Sequence, residues 1–139
     1  MKQRLADYVA DFLVDHGITD CFMVTGGGAM HLNDALGHKE GMHCLYNHHE
    51  QGCAIAAEAY SRIHNRMAAL CVTTGPGGTN AITGVVGGWL DSVPMFPVRC
   101  VMTRRRVICS SLHMVCPYGL LAIRSLILQN LSTACANMP

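Results

Sequence analysis

A single carboxylate, Glu50, opens the stretch HHEQGCAIAAEAYSR, and the residues behind it are almost all small or apolar. From Cys53 to Ala59 the only charge is Glu58. A helix over His48–Arg62 is therefore expected to pack closely on every side, because a helix with one exposed face shows polar residues on about half its positions. A carboxylate at the mouth of such a helix should be partly desolvated, with its pKa raised so that it can share a proton. The same residue type also serves as an N-terminal Glu stabilised by the helix dipole. Residue type alone does not separate the two. His48 and His49 have the chemistry of metal ligands, but adjacent side chains diverge and no third ligand stands at a suitable spacing, so no metal site is assigned. His16, His31, His38, His43, His64 and His113 are scattered and are given no chemistry.

Two glycine-rich segments carry the next candidate chemistry, Thr25-Gly26-Gly27-Gly28 and the TGPGGTN run from Thr74 to Asn80. Glycine turns ahead of helices can cradle phosphate through backbone N–H groups. Neither segment has the GxGxxG spacing with a following ribose acid, nor a Walker A lysine. Glycines that serve only tight turns and close packing explain each segment equally well.

Positioning these groups requires a regular scaffold. Leu5, Tyr8, Val9, Phe12 and Leu13 recur at helical spacing, with Gly17 at the stop position, which predicts a first helix over about Lys2–His16. Cys21–Val24 reads as a buried strand entering the first glycine turn, followed by a helix over about Ala29–Leu36. Cys44–Tyr46 is the next strand and leads into the Glu50 helix. Ala68–Thr73 is another buried strand; it opens into the second glycine segment, with a helix from about Asn80 to Leu90. Strand, turn and helix in alternation predict an α/β domain with a mainly parallel sheet flanked by helices. In such sheets ligands gather at the carboxyl ends of the strands, which is where both glycine segments and Glu50 fall.

The chain of 139 residues is one domain's worth, and 50% of it is hydrophobic against 14% charged. The net charge of +1 hides an asymmetry: residues 1–96 hold five basic against nine acidic residues, whereas residues 97–139 hold five arginines and no acid. Lys2–His16 is amphipathic and contains Asp7, Asp11 and Asp15, unlike a secretory signal. The eight cysteines form no CxxC pair, and Cys21, Cys44, Cys53 and Cys71 sit in apolar runs as small hydrophobes. Reduced thiols and a cytoplasmic location are expected. The apolar run Leu120–Leu131 contains Arg124, Gln129 and Asn130, which makes it too short and polar to span a bilayer.

The order of the motifs FMVTGGGAMHLNDAL, HHEQGCAIAAEAYSR, VTTGPGGTNAITGV and DSVPMF resembles the N-terminal, pyrimidine-binding (PYR) domain of thiamine-diphosphate-dependent enzymes, most closely the acetolactate synthase-like branch. The similarity covers about residues 1–96. The resemblance implies the thiamine-diphosphate-binding fold, incomplete here on its C-terminal side, and a 2-oxoacid carboligase or decarboxylase. It gives Glu50 the family's catalytic role, a hydrogen bond to N1′ of the cofactor's aminopyrimidine that favours the imino tautomer and so activates the thiazolium. Gly26–Ala29 and Thr74–Asn80 would line the pyrimidine pocket and the subunit contact, with Gly26, Gly27, Thr74, Gly75, Pro76 and Asn80 binding the cofactor alongside Glu50, and Ala54 and Ala57 would be packing. Family members also hold Mg²⁺ under the diphosphate, in a diphosphate-binding domain that generally comes from another subunit of a homo-oligomer. That domain is absent from these 139 residues, so this chain alone is expected to be inactive. Thr25-Gly26 stands where many relatives have Tyr-Pro, and the extra His48 leaves the substrate undefined.

After Phe96 the resemblance stops within an expected strand, and residues 97–139 read as a non-family tail. Phe96–Thr103 can be encoded so that the frame beginning at the third base reads Ser-Gly-Gln-Val-Arg-Asn-Asp, the kind of continuation the family would show. A shifted reading frame from about Pro97 is therefore favoured over an evolved basic tail, with poor packing of the tail on residues 1–96. An intact downstream frame in the gene supports this; a homologous tail in related chains overturns it. Three other readings stand beside the leading one. The first is a non-catalytic dimerisation or regulatory module that kept the fold. The second is a nucleotide-binding α/β protein. The third is a nucleic-acid-binding tail, the weakest because its five arginines are interleaved with only Tyr118.

Overall fold

The structure, a computed structural model, describes residues 3–103 and 106–111. Its sheet has the strand order β2-β1-β3-β4-β5, built from β1 (Asp20–Met23), β2 (His43–Tyr46), β3 (Ala68–Val72), β4 (Met95–Thr103) and β5 (Arg106–Ser111). The first four strands in that order are parallel, and β5 returns antiparallel to β4. Helix α1 (Leu5–Asp15) precedes β1, and helices α2 (Met30–His38), α3 (Glu50–His64) and α4 (Pro76–Leu90) provide the crossovers. This is the α/β fold that the alternation of elements predicts.

Both faces of the sheet are covered, and β3 shows how five consecutive buried residues serve two layers. Ala69 and Cys71 join Leu13, Leu32 and Leu36 in the core under α1 and α2. Ala68, Leu70 and Val72 join Cys53, Ala54, Ala57, Ala81 and Val85 in the core under α3 and α4. Period-two alternation thus sorts an unbroken apolar run onto opposite faces, as parallel sheets require.

Local chemistry sets the ends of the helices. Gly17 (φ 74°) follows the last turn of α1, and Asn65 closes α3 in the left-handed region (φ 50°, ψ 39°). The largest departure from the sequence reading is α4, which begins at Pro76 instead of near Asn80. The two glycines after Pro76 argue for a loop on propensity. Proline at the first helical position, with its fixed φ and no N–H to satisfy, starts the helix four residues earlier. Strand β4 runs through the junction at Phe96 and pairs with β3 as far as Arg99. The expectation for Leu120–Leu131 lies outside the described residues.

At the amino edge of the sheet, Asp20 is held by three partners. Its Oδ2 accepts from Tyr60 Oη at 2.7 Å and Thr19 Oγ1 at 2.9 Å, and Oδ1 lies 3.3 Å from His43 Nδ1. Burial pushes the Asp20 pKa up, but the bonds from Tyr60, Thr19 and His43 together outweigh it, and the net shift is downward. A lowered carboxylate pKa contributes stability above the unfolded value, and this is lost as pH falls through the folded one. Tyr60→Phe should cost about 1 kcal/mol at neutral pH. The deficit should vanish as pH drops through and below the ordinary aspartate value of 3.8, which thermal melts across that range will check.

Candidate functional site

The strand order reverses between β1 and β3: the chain goes from β1 to β2 on one side, then returns to β3 on the other. The carboxyl end of each parallel strand at this switch point leads to a candidate segment. After β1 comes Thr25–Gly28, after β2 comes Asn47–Glu50, and after β3 comes Thr73–Gly75. The topology therefore places all three on one edge, in the crevice where open α/β sheets take ligands.

Glycine makes the segments meet. An added Cβ at Gly26 would lie 2.6 Å from Thr73 Cβ, and one at Gly28 would lie 2.7 Å from Thr74 Oγ1. At Gly77 it would come within 2.7 Å of Thr73 Cγ2 and 3.2 Å of Glu50 Oε1. Thr73 is thus the hub that joins the β1 loop to the start of α4, and Gly77 carries the contact on to Glu50. Gly77 falls within the Thr74–Asn80 lining expected from the sequence, whereas Thr73 lies just outside it. The one visible signal for Thr73 was the Thr-Thr-Gly-Pro-Gly-Gly string itself.

Glu50 is the first residue of α3. The preceding His49 is the N-cap, its Nδ1 accepting from the Gln51 backbone N–H at 3.2 Å. Accepting at Nδ1 means that the neutral ring carries its proton on Nε2. His49 therefore has a local structural task, which is a capping task more than a metal-binding one. Among the described residues no group of three or more His, Cys, Asp or Glu side chains is gathered for a metal ion.

The Glu50 carboxylate faces α4, and Asn80 Nδ2 donates to Oε2 at 3.1 Å. This corrects the expectation of a raised pKa. The Asn80 bond, reinforced by the Glu50 backbone N–H, holds the carboxyl below the ordinary glutamate value of 4.5; burial opposes this more weakly, and His49 adds a little. The expectation failed because it assumed a helix enclosed on every side. Helix α3 buries only Cys53, Ala54, Ala57 and Ser61, while Ile55 and Ile63 point outward. Three residues into the helix, the Cys53 thiol is pushed up to about 11, first by burial and then by the Glu50 charge, and so stays protonated.

The sequence-predicted residues divide accordingly. Glu50 and Asn80 touch, and Gly26 reaches them through Thr73 and Gly77. Gly27 and Gly75 stand on the same edge, where an added Cβ would meet nothing within 4 Å; the same holds at Gly52, two residues from Glu50. Thr74 contacts the Gly28 position, and Pro76 starts α4. A divalent cation has no matching set of ligands here.

An apolar stripe lies outside the site. Ile82, Val86, Trp89 and Leu90 recur at helical spacing on α4 as exposed apolar side chains, and Ile55 and Ile63 of α3 are exposed as well. Ile63 is 78% exposed and Leu90 72%. Among the described residues no helix is long and apolar enough to cross a membrane.

Comparison with known proteins agrees with this geometry. Residues 3–105 match the family described as "Thiamine pyrophosphate enzyme, N-terminal TPP binding domain". The acetolactate synthase large subunit of Buchnera aphidicola subsp. Acyrthosiphon pisum (strain APS) is 39% identical over 90 residues, 65% of this chain and 16% of that protein. The acetolactate synthase large subunit of Lactococcus lactis subsp. lactis (strain IL1403) is 38% identical over 87 residues, 63% of this chain and 15% of its own length. The chloroplastic acetolactate synthase 2 of Nicotiana tabacum is 33% identical over 102 residues, 73% of this chain and 15% of its length. The chain thus spans about a sixth of the length of the curated relatives it matches.

Proposed function

The chain belongs to the thiamine pyrophosphate enzyme family through the N-terminal TPP-binding domain, and we propose that it is a half-site that binds the aminopyrimidine of thiamine diphosphate and activates it through Glu50. The observation that carries this reading is the Glu50 carboxylate. It stands at the switch point between two helix starts, ionised and anchored by Asn80. When bound, the cofactor supplies the carbon nucleophile for chemistry at a 2-oxoacid carbonyl. Glu50 contributes an acceptor oxygen that favours a protonated ring nitrogen facing it. Ionisation suits that task, because a carboxylate accepts only and holds a donor more strongly than a neutral group does. Gly26, Gly27, Thr74, Gly75 and Pro76 would line the ring's site, with open space beside the backbone at Gly27 and Gly75.

The substrate class on this reading is a 2-oxoacid, with carboligation or decarboxylation of the acetolactate synthase kind, as the similarity to acetolactate synthases supports. On the family resemblance, Mg²⁺ and the diphosphate fall to a diphosphate-binding domain of another subunit. The exposed apolar residues of α4 are the surface that such a partner covers in a homo-oligomer, since an exposed apolar patch marks an interaction site. A cytoplasmic location belongs to the same proposal.

The test is calorimetric titration of the chain with thiamine diphosphate and Mg²⁺, alone and mixed with the diphosphate-binding domain of a full-length relative. Binding that appears only in the mixture is the expected result. A folded chain that binds in neither case would overturn the half-site reading and leave a dimerisation module, which the exposed stripe would then serve.

A further inference from the structure

We infer that Asn80 is a positioning residue that acts through Glu50, holding one carboxylate oxygen so that the other is presented at a fixed angle beside Gly77. This deepens the half-site reading and rests on it. It also differs from a direct cofactor contact for Asn80, since on this reading its amide acts on the carboxylate of Glu50.

A glutamate at the first position of a helix has three side-chain torsions and little to restrain them, and the terminal torsion is broad. One hydrogen bond across the helices and one close approach restrain Glu50, beside its own backbone N–H. Asn80 Nδ2 donates to Oε2 at 3.1 Å, and Oε1 lies where a Cβ on Gly77 would come within 3.2 Å. Gly77 and Asn80 are three residues apart on α4, hence on one face of it. A carboxylate accepts only, so the Asn80 amide must turn its nitrogen toward it.

The charge inventory explains why an amide suits this place. Helix α4 contains no Asp, Glu, Lys, Arg or His from Pro76 to Leu90, and neither Thr73-Thr74 nor the Val24–Ala29 segment carries a charge. The titratable neighbours of Glu50 are His49 and Cys53 on its own helix. Asn80 is thus the group on α4 that fixes the carboxylate. Being neutral, it does so without cancelling the charge, whereas a lysine there would form an ion pair and an aspartate would repel.

The experiment is a ¹³C NMR titration of the full chain labelled at the glutamate carboxyls, without cofactor, using Glu50→Gln to assign the resonance. Asn80→Asp, nearly isosteric but without the amide donor, and Asn80→Ala should both move the Glu50 midpoint upward, the aspartate variant further. Asn80 is exposed, so thermal stability should hold in both variants. The pH profile of turnover in the reconstituted mixture should shift in the same direction. An unchanged Glu50 midpoint in both variants overturns the proposal. A shifted midpoint in a chain that takes no thiamine diphosphate even with its partner domain supports the contact and removes the half-site reading, so the two failures are distinguishable.

Discussion

In a mixture of this chain with a diphosphate-binding partner domain, Glu50→Gln should lower 2-oxoacid turnover by a factor on the order of 10²–10⁴, the usual worth of a positioned proton-transfer group. The substitution is nearly isosteric, so the fold should change little. The glutamine oxygen can still accept from Asn80, and Gly77 still leaves room beside it. What is lost is the charge. Loss of a carboxylate from a helix start costs a few tenths of a kcal/mol to about 1 kcal/mol in stability, far too little to explain a thousandfold effect by unfolding. A neutral amide can accept a hydrogen bond, but it does not favour a protonated partner as a carboxylate does. The measurement is steady-state turnover of wild type and variant at saturating thiamine diphosphate, with a melt of each chain alone. If Glu50→Gln retains turnover within a factor of two to three, the activating role falls, whatever the affinity for the cofactor.

The sequence carried the scaffold well, because its signals are local. Buried strands such as Ala68–Val72 announce themselves as short apolar runs. The repeated strand–turn–helix order then fixes a parallel sheet, and that sheet puts Glu50 and both glycine segments on one edge. The environment of Glu50 was not legible. Asn80 is thirty residues away in sequence, and its approach depends on how α3 and α4 cross. Reading α3 as enclosed followed from its composition, since the small and apolar residues of Cys53–Ala59, Ile55 and Ala59 among them, look like core residues. Sequence alone cannot say whether a neighbour from the same chain or from another covers them. The start of α4 was missed for a related reason. Gly77 and Gly78 weaken a helix on propensity, yet the close approach of Thr73 and Glu50 to Gly77 leaves no room for a side chain there.

The same crossing makes the largest stability prediction. At Gly84 an added Cβ would stand 2.6 Å from Ala54 Cβ, 2.8 Å from the Ile55 backbone N and 2.9 Å from the Ala54 carbonyl carbon. Two of those neighbours are backbone, so no rotamer change relieves the contact and the helices must separate. Gly84→Ala gains up to about 1 kcal/mol of helix propensity, against an overpacking penalty of roughly 1–3 kcal/mol or more. The net should be a loss of about 2 kcal/mol, and Gly84→Val should lose more. Gly87 on the same helix is the control. Its added Cβ would meet only Glu58 Oε2 at 3.4 Å and the carboxyl carbon at 4.0 Å, both at the tip of a flexible side chain. Gly87→Ala should therefore be neutral or mildly stabilising. Gly84 lies one turn beyond Asn80, so helices forced apart there also draw Asn80 from Glu50. Gly84→Ala should then lower the melting temperature and raise the Glu50 carboxyl pKa together, whereas Gly87→Ala should do neither. A Gly84→Ala chain as stable as wild type, with Glu50 titrating unchanged, would mean that the α3–α4 spacing does not control the site.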